Sequence, residues 1–207
     1  MKILTVLGFV ATSLVGSHAM AECVVSRDEV QKAIDSGAST DELQKKFEGC
    51  KAQDQWEPTS LQQSKVNGQY IKNTGSVAYE SLLGCGYHPQ RKELTCPIEI
   101  RRQFGYGGTP ALQPAGSYEY VLFCIQTANG LTPVNTNGVH VHDESFGNQP
   151  NWYTAAVVPA NQPLFSTPLL GQSLRARAIL SWGIPPQHCN WQPIWGNQAD
   201  FIVRLDP

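Results

Sequence analysis

The sequence predicts a mainly β chain: an antiparallel β-sandwich preceded by a small disulfide-linked helical hairpin. Three observations carry this expectation. Short apolar runs with period-two alternation recur between residues 77 and 205, separated by turns rich in glycine, proline and asparagine. Six cysteines follow a leader-like beginning, which favours a disulfide framework. Helical spacing is confined to residues 26–48, in two short segments that carry their own capping residues.

Residues 1–21 read as a secretory signal peptide. Lys2 supplies the positive charge, residues 3–15 the apolar run, and Ala19-Met20-Ala21 an A-x-A cleavage site before Glu22. The run is too short for a spanning helix. Cys23 lies close enough to raise lipidation, but the charged Glu22 before it argues for a disulfide instead. Removing the leader takes away one base and no acid, so the formal net charge of −2 becomes one unit more negative. With only 15 % charged residues, nothing implies nucleic acid or an anionic membrane as partner. The expected location is secreted or periplasmic, with a protein or glycan partner outside the cytoplasm, no membrane span and no cofactor.

Residues 22–50 form the helical unit. Ser26 and Glu29 have capping-box spacing, Val30 and Ile34 follow one turn apart, and Gly37 ends the helix. Ser39 or Thr40 caps a second helix containing Leu43 and Phe47, which Gly49 stops. Two such helices bury too little to stand alone. Cys23 and Cys50 flank them, so a bridge is expected to close the hairpin, as a structural clip or a docking module. Residues 51–75 are polar, with Pro58, Gly68 and Gly75, and read as a linker whose large aromatics are Trp56 and Tyr70. On this reading a chain starting near Gly68 folds without the helices.

The β domain spans residues 76–207. Candidate strands at 77–87 and 94–103 place Cys85 and Cys96 symmetrically about the turn "HPQRKE", as a cross-strand bridge requires. The glycine-rich stretch after them lacks the phosphate-loop pattern. Residues 117–127 put Tyr118, Tyr120, Leu122 and Cys124 on one face and Val121, Phe123 and Ile125 on the other. Asn129-Gly130 and Asn137-Gly138 are hairpin signals, bracketing a strand at 131–135 and starting another at 139–143. Strands at 152–158, 174–182 and 201–205 complete a set of eight, a Greek-key signature. In residues 174–182, Leu174, Ala176, Ala178, Leu180 and Trp182 share the core face. Cys124 and Cys189 are left to pair with each other.

Two constellations could carry chemistry. His140 and His142 lie two apart in a strand, so both imidazoles face one side, as a metal site needs. The stretch Gly138-Val139-His140-Val141-His142 resembles the "G-x-H-V-H" strand of copper/zinc superoxide dismutases. The family's later histidines have no counterpart, because the remaining histidines beyond the leader are His88 and His188, so that assignment fails. The second constellation is aromatic: Trp152, Trp191 and Trp195, with Asn and Gln neighbours, could stack on sugar rings if exposed. No nucleophile motif is present; Gly171-Gln172-Ser173 continues into Leu174-Arg175 and breaks G-x-S-x-G.

The run "RARAILSW" with its sequel "PIWGN" resembles the closing strands of poorly characterised bacterial secreted β-sandwich domains of Ig-like or fibronectin-III-like type. That resemblance implies an Ig-like sandwich. The expected function is an exported non-enzymatic binding or structural protein that contacts another envelope or extracellular component. The alternatives are a carbohydrate-binding module using the tryptophans and a metal-binding oxidoreductase using His140 and His142.

Overall fold

Alternating apolar residues give the described chain its strands. In chain order the elements are β1 (Val24–Val25), α1 (Arg27–Asp35), α2 (Thr40–Phe47), β2 (Lys51–Ala52), β3 (Gln63–Val66), β4 (Gln69–Lys72) and β5 (Glu80–Leu82). They continue with β6 (Gly86–His88), β7 (Glu93–Ile100), β8 (Ser117–Thr127), β9 (Gly130–Val141), β10 (Trp152–Pro159), β11 (Ser173–Trp182) and β12 (Gln198–Arg204). The computed structural model describes residues 22–53, 63–66, 69–107, 116–145, 147, 151–160 and 171–204. The expected signal peptide, Trp56 and the loop at 161–170 lie outside the described residues.

The chain is mainly β, with antiparallel sheets. A six-stranded sheet runs β3-β4-β12-β11-β8-β9, and a smaller sheet runs β10-β7-β5 with β6 also paired to β7. One apolar cluster joins them. Leu94, Cys96, Ile98 and Ile100 of β7 belong to it together with Val121, Phe123 and Ile125 of β8 and Ala176, Ala178, Leu180 and Trp182 of β11. On the opposite face of β8, Leu122 and Cys124 pack with Cys189 and Leu131 in a second cluster. Three disulfides are formed, Cys23–Cys50, Cys85–Cys96 and Cys124–Cys189. Such bridges suit an oxidising compartment. Among the described residues no helix is long and apolar enough to cross a membrane.

Two features depart from the sequence reading. The Asn137-Gly138 pair is not a turn: β9 runs straight through it, with Gly138 opposite Tyr120. A Cβ at Gly138 would lie 2.9 Å from the Tyr120 ring, so the glycine makes room for an aromatic leaning across the strand. The ladder instead slips at Phe123/Cys124, beside Pro133, which has no N–H to donate. Asn129-Gly130 does form the expected hairpin, with Gly130 at φ 101°. The second departure concerns residues 51–75, expected as a linker: they supply β2, β3 and β4, and β4 pairs with β12.

The two helices also belong to the main core. Both carry capping boxes, Ser26 with Glu29 and Ser39 with Glu42, and their serine hydrogen bonds hold both carboxylates below the usual range. Val30 and Ala33 of α1 and Leu43 and Phe47 of α2 sit in the same cluster as the strand residues. The helical unit is therefore packed into the sheets rather than strung from them, and the expectation that it can be deleted does not fit this arrangement.

Candidate functional site

Arg27, the first residue of α1, is the strongest link between helices and sheets. A helix-surface arginine ordinarily keeps its head in water, yet Arg27 is only 6 % exposed. Its Nη1 donates to Glu80 Oε2 at 2.9 Å, and its Nη2 lies 3.9 Å from Glu119 Oε1. Its Cζ sits 3.9 Å from the Trp182 ring centroid and 4.1 Å from that of Tyr79, so the guanidinium is held between aromatic faces as well as carboxylates. Tyr106 and Trp195 lie slightly farther off. Glu119 is fully buried on the inner face of β8. Burial, then the charge of Glu80, pushes its pKa well above the usual carboxylate range, and Arg27 offsets only part of this. Burial followed by the same two carboxylates raises the Tyr106 phenol as well. Tyr106 donates its hydroxyl hydrogen to the Tyr79 carbonyl at 2.8 Å. Glu80 and Glu119 are both fully buried, so this cluster anchors the fold and offers no surface to a substrate.

A cavity of about 450 Å³ lies beside this cluster. Its walls come from both helices, the end of β11 and the loop between β11 and β12. Val30, Phe47, Trp182, Ile184, Trp191 and Trp195 make it apolar and largely aromatic. Thr74 and Ser181 add hydroxyls, and Gln44, Asn190 and Gln192 bring amides. Its ionisable lining residues, Glu48, Lys51 and His188, are all exposed at the surface. The volume falls within the range of small-molecule sites, and so does the mixture of aromatic walls with a few polar groups.

The three indoles here are treated differently. Trp182 donates from Nε1 to Ser117 Oγ at 2.7 Å and meets Trp195 edge-to-face at 5.4 Å. Trp191 is 9 % exposed, and its Nε1 is buried with no hydrogen-bond partner. Thr74 Oγ1, on the same cavity, is also buried without a partner. Buried polar atoms are nearly always satisfied, and leaving one unpaired costs about 1–3 kcal/mol. Arg27 Nε and Nη2 and both Glu119 oxygens in the charged cluster are likewise buried without a hydrogen-bond partner, so unpaired polar atoms occur on both sides of the Trp182–Trp195 wall.

The tryptophans expected as an exposed platform do not form one. Trp195 is 1 % exposed and fills the core, Trp191 faces the cavity, and Trp152 is half-buried in β10, paired with Ile100 of the smaller sheet. They are brought into no common surface. His140 and His142 do share a face, their ring centroids 6.3 Å apart, with His140 edge-on to Tyr118 at 5.0 Å. His142 Nε2 lies 3.6 Å from Glu144. His88 sits beside a turn, where its Nδ1 accepts from the Arg91 amide, while His188 packs edge-on to Trp191. Asp143 is engaged elsewhere, accepting from the Gly105 and Tyr106 amides at 2.7 and 2.8 Å. Among the described residues no three His, Cys, Asp or Glu side chains gather as a metal site.

The features define a class, a mainly β, disulfide-bonded protein with a helical flank over an aromatic cavity. Comparison with protein-family models, curated proteins and solved structures finds no match to this chain.

Proposed function

We propose that this chain is an exported binding protein built on an Ig-like sandwich, and that its ligand occupies the cavity between the helices and β11. The cavity itself carries this reading: about 450 Å³ in volume and walled by Phe47, Trp182, Trp191 and Trp195, it has the size and aromatic lining of a small-molecule site. Binding is favoured over catalysis because the strongly perturbed carboxylate, Glu119, and its neighbour Glu80 are fully buried and do not line the cavity. Three disulfides support a place outside the cytoplasm.

A neutral apolar dye, N-phenyl-1-naphthylamine, tests whether the cavity accepts a guest. One saturable site is expected in the wild-type protein, with loss of that site in Gln44→Trp, whose indole would fill the mouth. No saturable binding, or binding indifferent to Gln44→Trp, would remove the cavity as the site.

A further inference from the structure

The helices that wall the cavity are seated on the charged cluster, and the charges of that cluster do not balance. Arg27 of α1 is buried, and the two carboxylates beside it, Glu80 of β5 and Glu119 of β8, are fully buried. One cation and two carboxylates leave a negative charge uncompensated in the interior unless one carboxyl keeps its proton. Glu80 accepts directly from Arg27 Nη1 at 2.9 Å, whereas Glu119 stands 3.9 Å from Nη2. The proton therefore belongs on Glu119, in accord with the upward shift that burial and Glu80 impose on it. The other elements packed here bring no second buried cation. Val139 of β9 and Trp182 of β11 stand opposite Glu119 in the ladders, and the phenol rings of Tyr79 and Tyr106 complete the surround. Arg101 is paired with Glu99, and Arg102 reaches the Tyr79 ring at 5.8 Å from the exposed surface. His140 and His142 lie on the opposite face of the sheet, beside Tyr118.

We propose that the helical unit is a proton-linked gate over the cavity: its docking holds one proton in the Arg27–Glu80–Glu119 cluster, and its opening releases that proton to water. This rests on the reading of the cavity as the binding site and adds how access to it is controlled. When α1 lifts, Arg27 leaves with it and water reaches both carboxyls. The Glu119 O–H then breaks as in any solvated carboxylic acid, and its proton goes to solvent. The docked form thus binds one proton more than the open form. Docking is favoured fully below the ordinary carboxylate pKa, and the advantage falls as pH rises toward the raised value of Glu119. Across that window the opening constant rises by up to about tenfold per pH unit. The same movement takes Val30, Gln44 and Phe47 off the cavity, while Trp182 and Trp195 stay with the strands. The Cys23–Cys50 bridge and the β1–β2 pairing hold the helical unit together, so it opens as one piece. Opening is rare, because Val30, Ala33, Leu43 and Phe47 leave the core with it. A guest is held in acid and leaves faster as pH rises.

Amide hydrogen exchange on the full disulfide-bonded protein, from about pH 5 to about pH 8, tests this. Each rate is divided by the intrinsic rate at that pH to give an opening constant. Amides of α1 and α2 are expected to open more readily than those of β8 and β11, with an opening constant that rises toward about tenfold per pH unit. Glu119→Gln, which puts a neutral amide where the protonated carboxyl stands, should flatten that rise. Glu80→Gln should flatten it too, since Arg27 then faces a single carboxylate and no proton is needed for balance. Thermal melts show which variants are folded, and either one suffices. Control of the cavity is read from stopped-flow release of the naphthylamine dye, which stays neutral throughout. Its dissociation rate should rise with pH in step with helix opening in the wild type and stay level in the variants. Helices that open no more readily than the strands, or a pH-dependence that persists in a folded variant, overturn the proton-linked gate. Proton-linked helix opening with dye release indifferent to pH overturns its control of the cavity. The expected helix opening with no saturable dye binding at all removes the cavity as the site and supports the proton-linked docking by itself.

Discussion

Trp182 and Trp195 border two neighbourhoods built on opposite plans. Toward Arg27 the space is charged and packed: a guanidinium lies 3.9 Å from the Trp182 ring and 2.9 Å from a Glu80 oxygen. Toward Trp191 it is roomy and largely aromatic, with its ionisable residues exposed at the surface. The difference separates scaffold from site. A buried ion pair is strongly destabilising to break, because the surviving charge stays buried. The cavity wall holds no such buried pair, and a neutral donor left unpaired costs less. The same aromatic wall can therefore be rigid because of one side and receptive on the other.

Arg27→Met breaks the comparison most severely. It keeps apolar bulk between the rings but leaves Glu80 without its guanidinium, and the expected loss is about 3–5 kcal/mol in urea unfolding. A loss below about 1 kcal/mol would mean that the packed side is no anchor. Deleting residues 22–50 should be at least as damaging, since it removes Arg27 together with Val30, Leu43 and Phe47.

Glu119→Gln sharpens the charged side through pH. The folded-state pKa of Glu119 is raised, so the folded protein holds a proton that the unfolded chain gives up. Its protonated form favours folding fully below the ordinary carboxylate pKa, and that advantage is lost as pH rises through the window up to its raised value. Arg27, Glu80 and Tyr106 share this environment and remain in the variant. The Glu119→Gln melting temperature should therefore gain on the wild type as pH rises from about 4 toward neutrality and above. Parallel profiles would contradict the assignment of a protonated Glu119.

Trp191→Phe probes the other side without ligand. Removing an orphaned donor while keeping a ring should change stability by less than about 1 kcal/mol, in either direction. A larger destabilisation would mean that the N–H has a structural partner after all. The smallest effect is expected far from both neighbourhoods: His140→Ala with His142→Ala should stay within about 0.5 kcal/mol of the wild type. Stoichiometric zinc or copper in the purified protein, absent from that double variant, would restore the metal reading.

How much of this was legible depended on whether a residue's role follows from local pattern. The alternation in 174–182 and 117–127 was, because period two fixes which side chains meet the core. The capping boxes were, because their partners are three residues apart. The Cys124–Cys189 bridge, with a separation of 65 residues, was reachable only by elimination. Arg27 was not legible: in a capping-box sequence it reads as a solvated first-turn residue, and its partners, from Tyr79 and Glu80 onward, lie more than 50 residues away. Glu119 left a signal that went unread. It falls in phase with Val121, Phe123 and Ile125, so the same alternation puts a carboxylate on the buried face of β8. β4 was hidden by polar composition, and Gly138 by a dipeptide that marks turns more often than aromatic crossings. The cavity could not be read at all, because its walls come from four separated parts of the chain.

The placement of Arg27 also sets an order of assembly. The helices come early in the chain, and Cys23 with Cys50 can close over a short local loop. Yet the partners that seat Arg27 are Glu80, Glu119, Trp182 and Trp195, spread over nearly the whole of the rest of the sequence. A chain released from its amino end holds these helices ready while the pocket for the guanidinium does not yet exist. Contacts of such long separation close late, because the intervening chain must first be ordered. The helices are thus made before the strands that seat them, and their docking, with the cavity wall they supply, waits on those strands.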